Sequence, residues 1–198
     1  MRIGLLGPGR DEAVFREAVR YLLGAADVEQ VVYLGEASFL EAATTRWARE
    51  LDVATEDGFL RRALDVAMSG SPEDVEELLS RDALTARLAQ IRKLPPPPAR
   101  AIELIDDRVV VFVHDKSVLD EEDIANAALV VYGRSSEAGL RRFGKRLFLT
   151  PGPLEGRHVG LVEDDAEEGA VVSLVDLDGK AVAREALIAG STKMTVTG

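Results

Sequence analysis

The fold is predicted from the stretch Val130-Val131-Tyr132-Gly133-Arg134-Ser135-Ser136. An apolar run ends at a glycine and gives way to short polar residues, which is typical of a buried strand that runs into a loop. Residues 140–149 then have the pattern of a hairpin and a further strand, and they end in Thr150-Pro151-Gly152-Pro153. The segment therefore predicts a buried strand, a loop, a hairpin, a second strand and a tight turn.

The first fifty residues alternate between strands and helices. A short apolar run at residues 2–6 opens into a glycine-rich loop, and a second apolar run covers residues 31–34. Apolar residues recur at helical spacing over residues 11–23 and again over residues 40–51. Continuous apolar strands that alternate with amphipathic helices predict a parallel α/β sheet.

Residues 53–98 are predicted to form a helical segment that ends in a proline-rich connection. One helix is indicated by the spacing of Phe59, Leu60 and Leu64. A second helix begins at Ser71-Pro72-Glu73-Asp74, because serine caps a helix, proline suits its first turn and acids suit its positive end. We expect this helix to continue to about Leu94. Residues 95–98 are all proline, which forbids helix and enforces a stiff link within the domain.

The second half of the chain is predicted to be mostly antiparallel β-structure. A hairpin turns at Asp106-Asp107, a short helix follows over residues 120–127, and Asp178-Gly179 forms a second hairpin turn. Further strands are expected at residues 101–105, 108–114, 129–132, 146–149, 159–162, 171–175 and 181–188. Two sheets packed face to face, with helices on their outer sides, account for both halves of the chain. We predict a single domain over residues 1–198.

Composition narrows the class of protein. The net charge of −11 argues against a nucleic-acid partner or an anionic membrane surface. There are no cysteines, so disulfides and thiolate metal sites are excluded. Residues 1–7 are too short and glycine-rich for a signal peptide, and no run reaches the roughly 18 apolar residues that span a bilayer. The prediction is a cytoplasmic protein.

Taken in chain order, the motifs resemble those of calcineurin-like metallophosphoesterases, in the branch of small bacterial phosphodiesterases and the small retromer subunit. In that family the first two strands end in Asp-x-His-Gly and Gly-Asp; here these positions read Pro8-Gly9-Arg10-Asp11 and Gly35-Glu36. A later strand ends in a metal-binding histidine, which His114 matches. The next two strands of the family end in Gly-His-x-His and Asn-Pro-Gly-Ser. The corresponding positions here are Gly133-Arg134-Ser135-Ser136 and Thr150-Pro151-Gly152-Pro153.

The resemblance implies a four-layer αββα sandwich and covers most of the chain. The family's Gly-Asn-His-Asp segment is the exception, because residues 53–94 contain no counterpart. In the family, two divalent metals about 3.5–4 Å apart activate a water and clamp the phosphoryl oxygens. The ligands are aspartate, asparagine and histidine side chains at the ends of several strands.

Most of these ligands are replaced in this sequence. Pro8 stands for the first aspartate, and Arg10 and Arg134 stand for histidines. A guanidinium is a permanent cation and does not ligate a metal. Only Glu36 and His114 remain as candidate metal ligands. We therefore expect no catalytic residues, no metal and no other cofactor, as in a pseudoenzyme.

The replaced positions form a candidate site composed of Arg10, Glu36, His114, Arg134, Ser135 and Ser136. One hypothesis is a plugged site, in which one or both arginines occupy the place of the metals and pair with Glu36. A second is a basic pocket, in which Ser135 and Ser136 donate hydrogen bonds to a phosphate or carboxylate. A third is residual metal binding by Glu36 and His114.

The leading functional hypothesis is a non-catalytic binding or scaffold module with a protein partner. The resemblance includes a precedent, since the small retromer subunit has a defective phosphoesterase site and serves in protein assembly. Residues 53–94 are the predicted partner surface because amphipathic helices replace a catalytic stretch there. An equally good alternative is that Phe59, Leu60, Leu64 and Leu79 belong to the hydrophobic core.

Two alternatives from other classes stay open. One is a phosphoesterase with an altered or single-metal site, in which a divalent metal such as manganese is bound by Glu36, His114 and nearby carboxylates such as Asp115. The other is a sensor of small anions or nucleotides that uses Arg10 and Arg134.

Overall fold

The computed structural model describes residues 1–51, 56–165 and 169–187. In these ranges the strands are β1 (Arg2–Leu6), β2 (Gln30–Tyr33), β3 (Ile91–Lys93), β4 (Ala101–Ile105), β5 (Arg108–Val113), β6 (Leu129–Tyr132), β7 (Gly139–Phe143), β8 (Arg146–Thr150), β9 (His158–Asp165), β10 (Gly169–Asp176) and β11 (Ala181–Ala186). The helices are α1 (Glu12–Leu23), α2 (Ala37–Leu51), α3 (Glu56–Ser69), α4 (Pro72–Leu88) and α5 (Glu121–Asn126). Two short 3-10 turns cover Lys116–Val118 and Leu154–Gly156.

The strands form two mixed sheets. The first sheet has the order β11-β10-β9-β1-β2-β3, with β1, β2 and β3 parallel and β9 to β11 antiparallel. The second sheet has the order β4-β5-β6-β8-β7, with β5, β6 and β8 parallel and both edge strands antiparallel. Helices flank both sheets, so the predicted α/β class with two mixed sheets is confirmed.

Apolar side chains fill the space between the two sheets. The first sheet contributes residues such as Ile3 and Leu5, and the second contributes Phe112, Val131 and Leu149. All are almost completely buried. The two sheets therefore share one core, and their strand ends lie against each other at the edge that carries the site.

The first sheet is well covered on its other side. Phe15 and Leu22 of α1, Trp47 of α2 and Leu88 of α4 form a second apolar cluster there. The Trp47 ring is 2 % exposed and lies under the guanidinium groups of Arg16 and Arg20, at 5.5 and 5.3 Å from the ring centroid. Trp47 is thus a core residue.

The outer side of the second sheet is thinly covered. Helix α5 has only six residues, and with the turn at Lys116–Val118 it covers the middle strands β5 and β6. The edge strands remain open: Ile102 and Leu104 on β4 are 57 % and 68 % exposed, and Phe143 on β7 is 60 % exposed. The fourth layer of the sandwich is therefore much smaller than the first.

Helices α1 and α4 begin at the capping residues that the sequence predicts. The Asp11 side chain accepts the backbone N–H groups of Ala13 and Val14 at the start of α1, and Gly24 ends that helix. Ser71 and Asp74 form a reciprocal capping box at the start of α4. These contacts satisfy N–H groups that have no partner inside the helix.

The prediction that α4 continues to about Leu94 is wrong. The helix ends at Leu88, and Ile91–Lys93 instead forms β3, which pairs in parallel with β2. Leu94 precedes a proline and is therefore disfavoured in helical geometry. The open edge of β2 supplies the backbone partners that a longer helix would have supplied.

Two other predictions include residues outside the described ranges. The strand expected at residues 181–188 is observed as Ala181–Ala186, and residue 188 lies outside the described ranges. Residues 53–55 of the predicted helical segment also lie outside them. In the part of the chain that the structure describes, the helices lack the length and apolar content needed to cross a bilayer.

Candidate functional site

The predicted site residues follow the carboxyl ends of parallel strands in both sheets. Arg10 lies after β1, Glu36 after β2, His114 after β5 and Arg134 after β6. Because the carboxyl ends of parallel strands lie at one edge of a sheet, these residues gather at one end of the sandwich. The turn after β8, which contains Gly152, lies at the same end.

Two glycines allow the site loops to approach each other closely. A Cβ atom at Gly7 would lie 1.7 Å from the carbonyl oxygen of Gly152. A Cβ atom at Gly133 would lie 2.3 Å from the carbonyl oxygen of Leu34. The loop of one sheet therefore rests on the backbone of the other, and no side chain fits between them.

His114 connects the two sheets at this end. Its Nδ1 lies 3.0 Å from the carbonyl oxygen of Leu34, and its Nε2 lies 3.2 Å from that of Pro95. Leu34 and Pro95 follow strands of the first sheet, whereas His114 follows a strand of the second. A neutral imidazole donates from one ring nitrogen, and the nitrogen that donates its hydrogen to a carbonyl has no free lone pair for a metal. In this geometry both ring nitrogens face acceptors.

Arg134 does not pair with Glu36, so this part of the plugged-site hypothesis is wrong. Its guanidinium donates to Asp115 Oδ2 at 2.9 Å, and its side chain is 82 % exposed. The backbone N–H of Ser117 lowers the pKa of the Asp115 carboxyl, burial opposes this, and the Arg134 guanidinium adds to the lowering. Arg134 therefore pairs with Asp115, a partner that the sequence pattern did not identify.

The Ser135 hydroxyl is engaged within its own loop. The Ser135 hydroxyl donates to the carbonyl oxygen of Glu137 and accepts the Glu137 backbone N–H, so it stabilises its own loop. Ser136 is exposed. Anion binding by the two serines therefore stays a prediction.

A cleft of about 800 Å³ opens beside the loop after β1. Its lining consists of Pro8, Gly9, Arg10, Tyr33, Glu36, Phe39, Pro153 and Glu155. Arg10 and Glu36 are both exposed on its wall, and within the described residues no hydrogen bond or ion pair joins Glu36 to either predicted arginine. The structure thus places Arg10 and Glu36 at the cleft, while Arg134 is engaged with Asp115.

Glu155 is a site residue that the sequence analysis missed. Its Oε1 accepts the backbone N–H groups of Arg10 at 2.7 Å and Asp11 at 3.2 Å. Burial raises the pKa of the Glu155 carboxyl, but these N–H groups hold the pKa below its ordinary value. The backbone donors at the start of α1 are therefore occupied by a carboxylate of the same chain. No spacing rule marks this residue, because the contact joins positions far apart in the sequence.

Tyr33 forms the buried side of the cleft. Burial raises the pKa of its phenol to about 12, so the ring is neutral at physiological pH. Its hydroxyl accepts the Gly9 backbone N–H at 3.3 Å, and its ring stacks on Phe39 at a centroid distance of 6.0 Å. The cleft therefore has an uncharged aromatic side opposite its charged rim.

The side chains at the family's ligand positions do not fit a two-metal centre. In residues 1–51, 56–165 and 169–187, no three His, Cys, Asp or Glu side chains are grouped so that they could hold a metal. The ring nitrogens of His114 face carbonyl oxygens, and Asp115 is engaged by Arg134. Glu36 is then the one candidate ligand at these positions without such a contact among the described residues.

Comparison with known proteins supports the fold. No family model matches the sequence, and no curated protein matches it. Among solved structures, the phosphoesterase YfcE from E. coli matches with a TM-score of 0.54 and 12 % identity, over 95 % of this chain and 100 % of that chain. A predicted phosphoesterase from Streptococcus pneumoniae TIGR4 matches with a TM-score of 0.51 and 16 % identity, over 93 % and 97 % of the two chains.

A single mutant of Vps29 from Entamoeba histolytica matches with a TM-score of 0.52 and 14 % identity, over 94 % of this chain and 99 % of that chain. These alignments cover nearly the whole of each protein. At such identities they establish the fold and leave the chemistry open. The chain has the calcineurin-like metallophosphoesterase fold, as the sequence motifs predicted.

Proposed function

We propose that this protein is a non-catalytic binding or scaffold module built on the metallophosphoesterase fold. The observation that carries the proposal is the position of His114, whose two ring nitrogens lie against the carbonyl oxygens of Leu34 and Pro95. The residue that best matches a family metal ligand serves here as a hydrogen-bonded link between the sheets. The arginines at two further ligand positions support the same conclusion.

The enzyme alternative requires these contacts to be broken. A single-metal site would need His114 and Asp115 to turn towards Glu36. His114 would then move away from the carbonyl oxygens of Leu34 and Pro95, and Asp115 would lose the Arg134 guanidinium and the Ser117 N–H. The anion-sensor alternative needs Arg10 and Arg134 to act together, whereas Arg134 is paired with Asp115. Neither alternative gains support from the observed geometry.

Metal analysis and turnover test the non-catalytic proposal. We expect the purified protein to contain substoichiometric metal and to hydrolyse bis(p-nitrophenyl) phosphate in the presence of manganese no faster than its His114→Ala variant. His158→Ala is the matched control, because it removes the other histidine of the chain. Stoichiometric bound metal, with turnover that is lost in His114→Ala and kept in His158→Ala, would refute the proposal.

Helix α3 provides the surface that we propose for the partner. Leu60, Leu64 and Met68 recur at i, i+4 and i+8, so they form one stripe, and all three are exposed. Met68 is 84 % exposed. Leu79 on α4 is exposed as well, so the reading of these leucines as core residues is wrong. Phe59 is half-buried. Single exposed apolar residues are normal on a protein surface, whereas a contiguous stripe of three large apolar side chains indicates an interaction site.

Charge indicates the kind of partner. On α4 the exposed apolar residues Val75 and Leu79 have acidic neighbours, and Glu76 and Asp82 have no ion-pair partner among the described residues. Electrostatic complementarity favours a partner of opposite charge. We therefore propose a protein segment with an apolar helical stripe flanked by lysine or arginine, the mode in which an amphipathic helix binds another protein.

A differential capture experiment tests the proposed surface. We expect wild-type protein to retain from a native lysate a partner that contains such a basic amphipathic segment, and a synthetic peptide of that segment to bind directly. Leu64→Asp combined with Met68→Asp should abolish both interactions. Val182→Asp is the matched control, since Val182 is similarly exposed but lies on β11. Equal binding by all three proteins would exclude the α3 stripe as the surface.

A further inference from the structure

Strand β4 has an open edge. Among the described residues it has a partner strand on one side only, the antiparallel β5. Ile105 lies opposite Arg108 across a two-residue turn, 106–107, in which both residues have positive φ. Residues that flank such a turn exchange backbone hydrogen bonds, and bonded and outward-facing residues then alternate along the strand. The backbone groups of Ile102 and Leu104 therefore point away from β5.

The backbone N–H and C=O groups of Ile102 and Leu104 are available to a further strand. Within the described residues, no hydrogen bond from another part of the chain reaches them, and both side chains are largely exposed. Natural edge strands are commonly protected by proline, lysine or a bulge. Strand β4 contains neither proline nor lysine and pairs with β5 in unbroken register. Its open edge can therefore bind an extended chain.

A groove of about 260 Å³ lies beside this edge on the outer side of the sheet. Its lining includes Ile102 and two valines of β5, and the acids at the start of α5 form its wall. Asp123 in this wall is paired with Arg100. Asp120 and Glu122 are exposed, and neither has an ion-pair partner in the part of the chain that the structure describes. The groove therefore combines apolar surface with unpaired negative charge.

We propose that β4 is a binding site for an extended segment of a partner protein, which adds to the second sheet as an antiparallel strand. The segment exchanges backbone hydrogen bonds with Ile102 and Leu104, as in other cases of strand addition. Residues opposite each other in a ladder share a face, so we assign an apolar residue beside Leu104 and a lysine or arginine beside Ile102. A basic side chain is long enough to cross one strand spacing of about 4.8 Å, with its stem over Ile102 and its charge towards Glu122.

The charges disfavour a second copy of this chain as the occupant. Pairing two β4 strands about a two-fold axis at Glu103 would set two carboxylates opposite each other, and like charges in that position destabilise a ladder. Glu103 points inward and is paired with Arg92, and an inward-pointing charge is one way in which an edge strand avoids its own copies. The joined sheet would also have the Asp120 and Glu122 charges of both copies on one face. A basic segment is instead attracted to these acids.

The other open edge of this sheet, β7, has the opposite charge. Arg141 and Lys145 are exposed there, and among the described residues neither contacts a carboxylate. A basic segment is therefore attracted to β4 and repelled from β7. The inference goes beyond the proposed partner surface, because it uses neither the α3 stripe nor the cleft.

Fluorescence anisotropy of a labelled peptide, Thr-Thr-Val-Thr-Lys-Thr-Thr, tests the site. Wild-type protein should bind the peptide at low salt, and Glu122→Lys should weaken binding about fivefold, because it reverses a charge in the wall. Glu121→Lys is the matched control, since it makes the same change of charge on α5 outside the groove lining. Its affinity should stay within about twofold of wild type. Leu64→Asp with Met68→Asp should bind as wild type does, so failure of the α3 surface would leave this result intact.

N-methylation of the peptide separates strand pairing from the attraction of charges. A methyl group on the backbone nitrogen of the lysine removes a donor that faces β4, so binding should be lost. The same group on the central threonine faces away from β4 and should leave the affinity within about twofold of the unmethylated peptide. Both methylated peptides have the same charge.

Equal affinity of the two methylated peptides would overturn the proposal, and so would equal affinity of Glu122→Lys and Glu121→Lys. Absence of binding to wild-type protein would also overturn it. Sedimentation tests the alternative occupant: a wild-type dimer that Leu104→Pro converts to monomer would assign the edge to a second copy. Proline is tolerated at this position because the Leu104 N–H is directed away from β5.

Discussion

Gly7→Ala is expected to lower the free energy of unfolding by about 3 kcal/mol, because the added methyl group has no space. Its Cβ would lie 1.7 Å from the carbonyl oxygen of Gly152, far inside van der Waals contact. Urea unfolding followed by the fluorescence of Trp47, the single tryptophan of the chain, measures the change.

The neighbouring backbone cannot easily move aside. Gly152 has a positive φ of 70°, and a Cβ there would lie 2.5 Å from the backbone nitrogen of Ala138, so the turn after β8 is itself confined. The Leu154 N–H also donates to the carbonyl oxygen of Pro8 at 2.8 Å, which holds the turn against the loop after β1. Movement at Gly7 would therefore disturb both contacts.

Gly139→Ala is the matched control for this substitution. Gly139 lies in β7, and no atom lies within 4 Å of the position of its Cβ. The expected change in unfolding free energy is within about 0.5 kcal/mol. If Gly7→Ala were as stable as Gly139→Ala, the loop after β1 would not be confined by the turn after β8.

Phe112→Ala is expected to lower the free energy of unfolding by about 4 kcal/mol, because it removes a large side chain from the layer between the sheets. Phe112 has no solvent exposure, and its strand neighbours at the same level are Ala101 and Val131. Phe143→Ala removes the same side chain from the surface of the same sheet and should change stability by less than about 1 kcal/mol. Denaturant titration of both variants gives the comparison.

The same variant tests whether residues 1–198 form one domain, which remains a prediction. Trp47 packs on the outer side of the first sheet, whereas Phe112 belongs to the second sheet. If the chain unfolds as one unit, Phe112→Ala shifts the Trp47 fluorescence transition and the circular dichroism transition by the same amount. Two separate midpoints would contradict the single-domain prediction.

Local chemistry made much of the fold predictable. Asp11 and Ser71 begin helices because their side chains accept backbone N–H groups, and this requires only nearby residues. The glycines after β1 and β6 marked loops, and the apolar runs before them marked buried strands. Segment 89–94 was mispredicted because its leucine and isoleucine spacing fits a helix, while the edge of β2 that pairs with it is distant in sequence.

The contacts at the site were predictable to a smaller extent. Motif order was sufficient to place Arg10, Glu36, His114 and Arg134 at one end of the sandwich. It was insufficient to assign their partners, because the geometry of the loops decides which carboxylate a long side chain such as that of Arg134 reaches. The Glu155 contact with the N–H groups of Arg10 and Asp11 depends on how two distant turns dock, for which the sequence contains no periodic signal.

The unequal covering of the two sheets also determines where the molecule opens under thermal fluctuation. Strands β1, β9 and β10 are paired on both sides and lie beneath layers of side chains, so their backbone amides are released to water only when much of the structure unfolds. Strands β4 and β7 have one free edge each and little cover outside α5. We therefore expect local opening to begin at such edge strands and to proceed inward, and the central strands β1, β9 and β10 to be the last ordered part of the described chain.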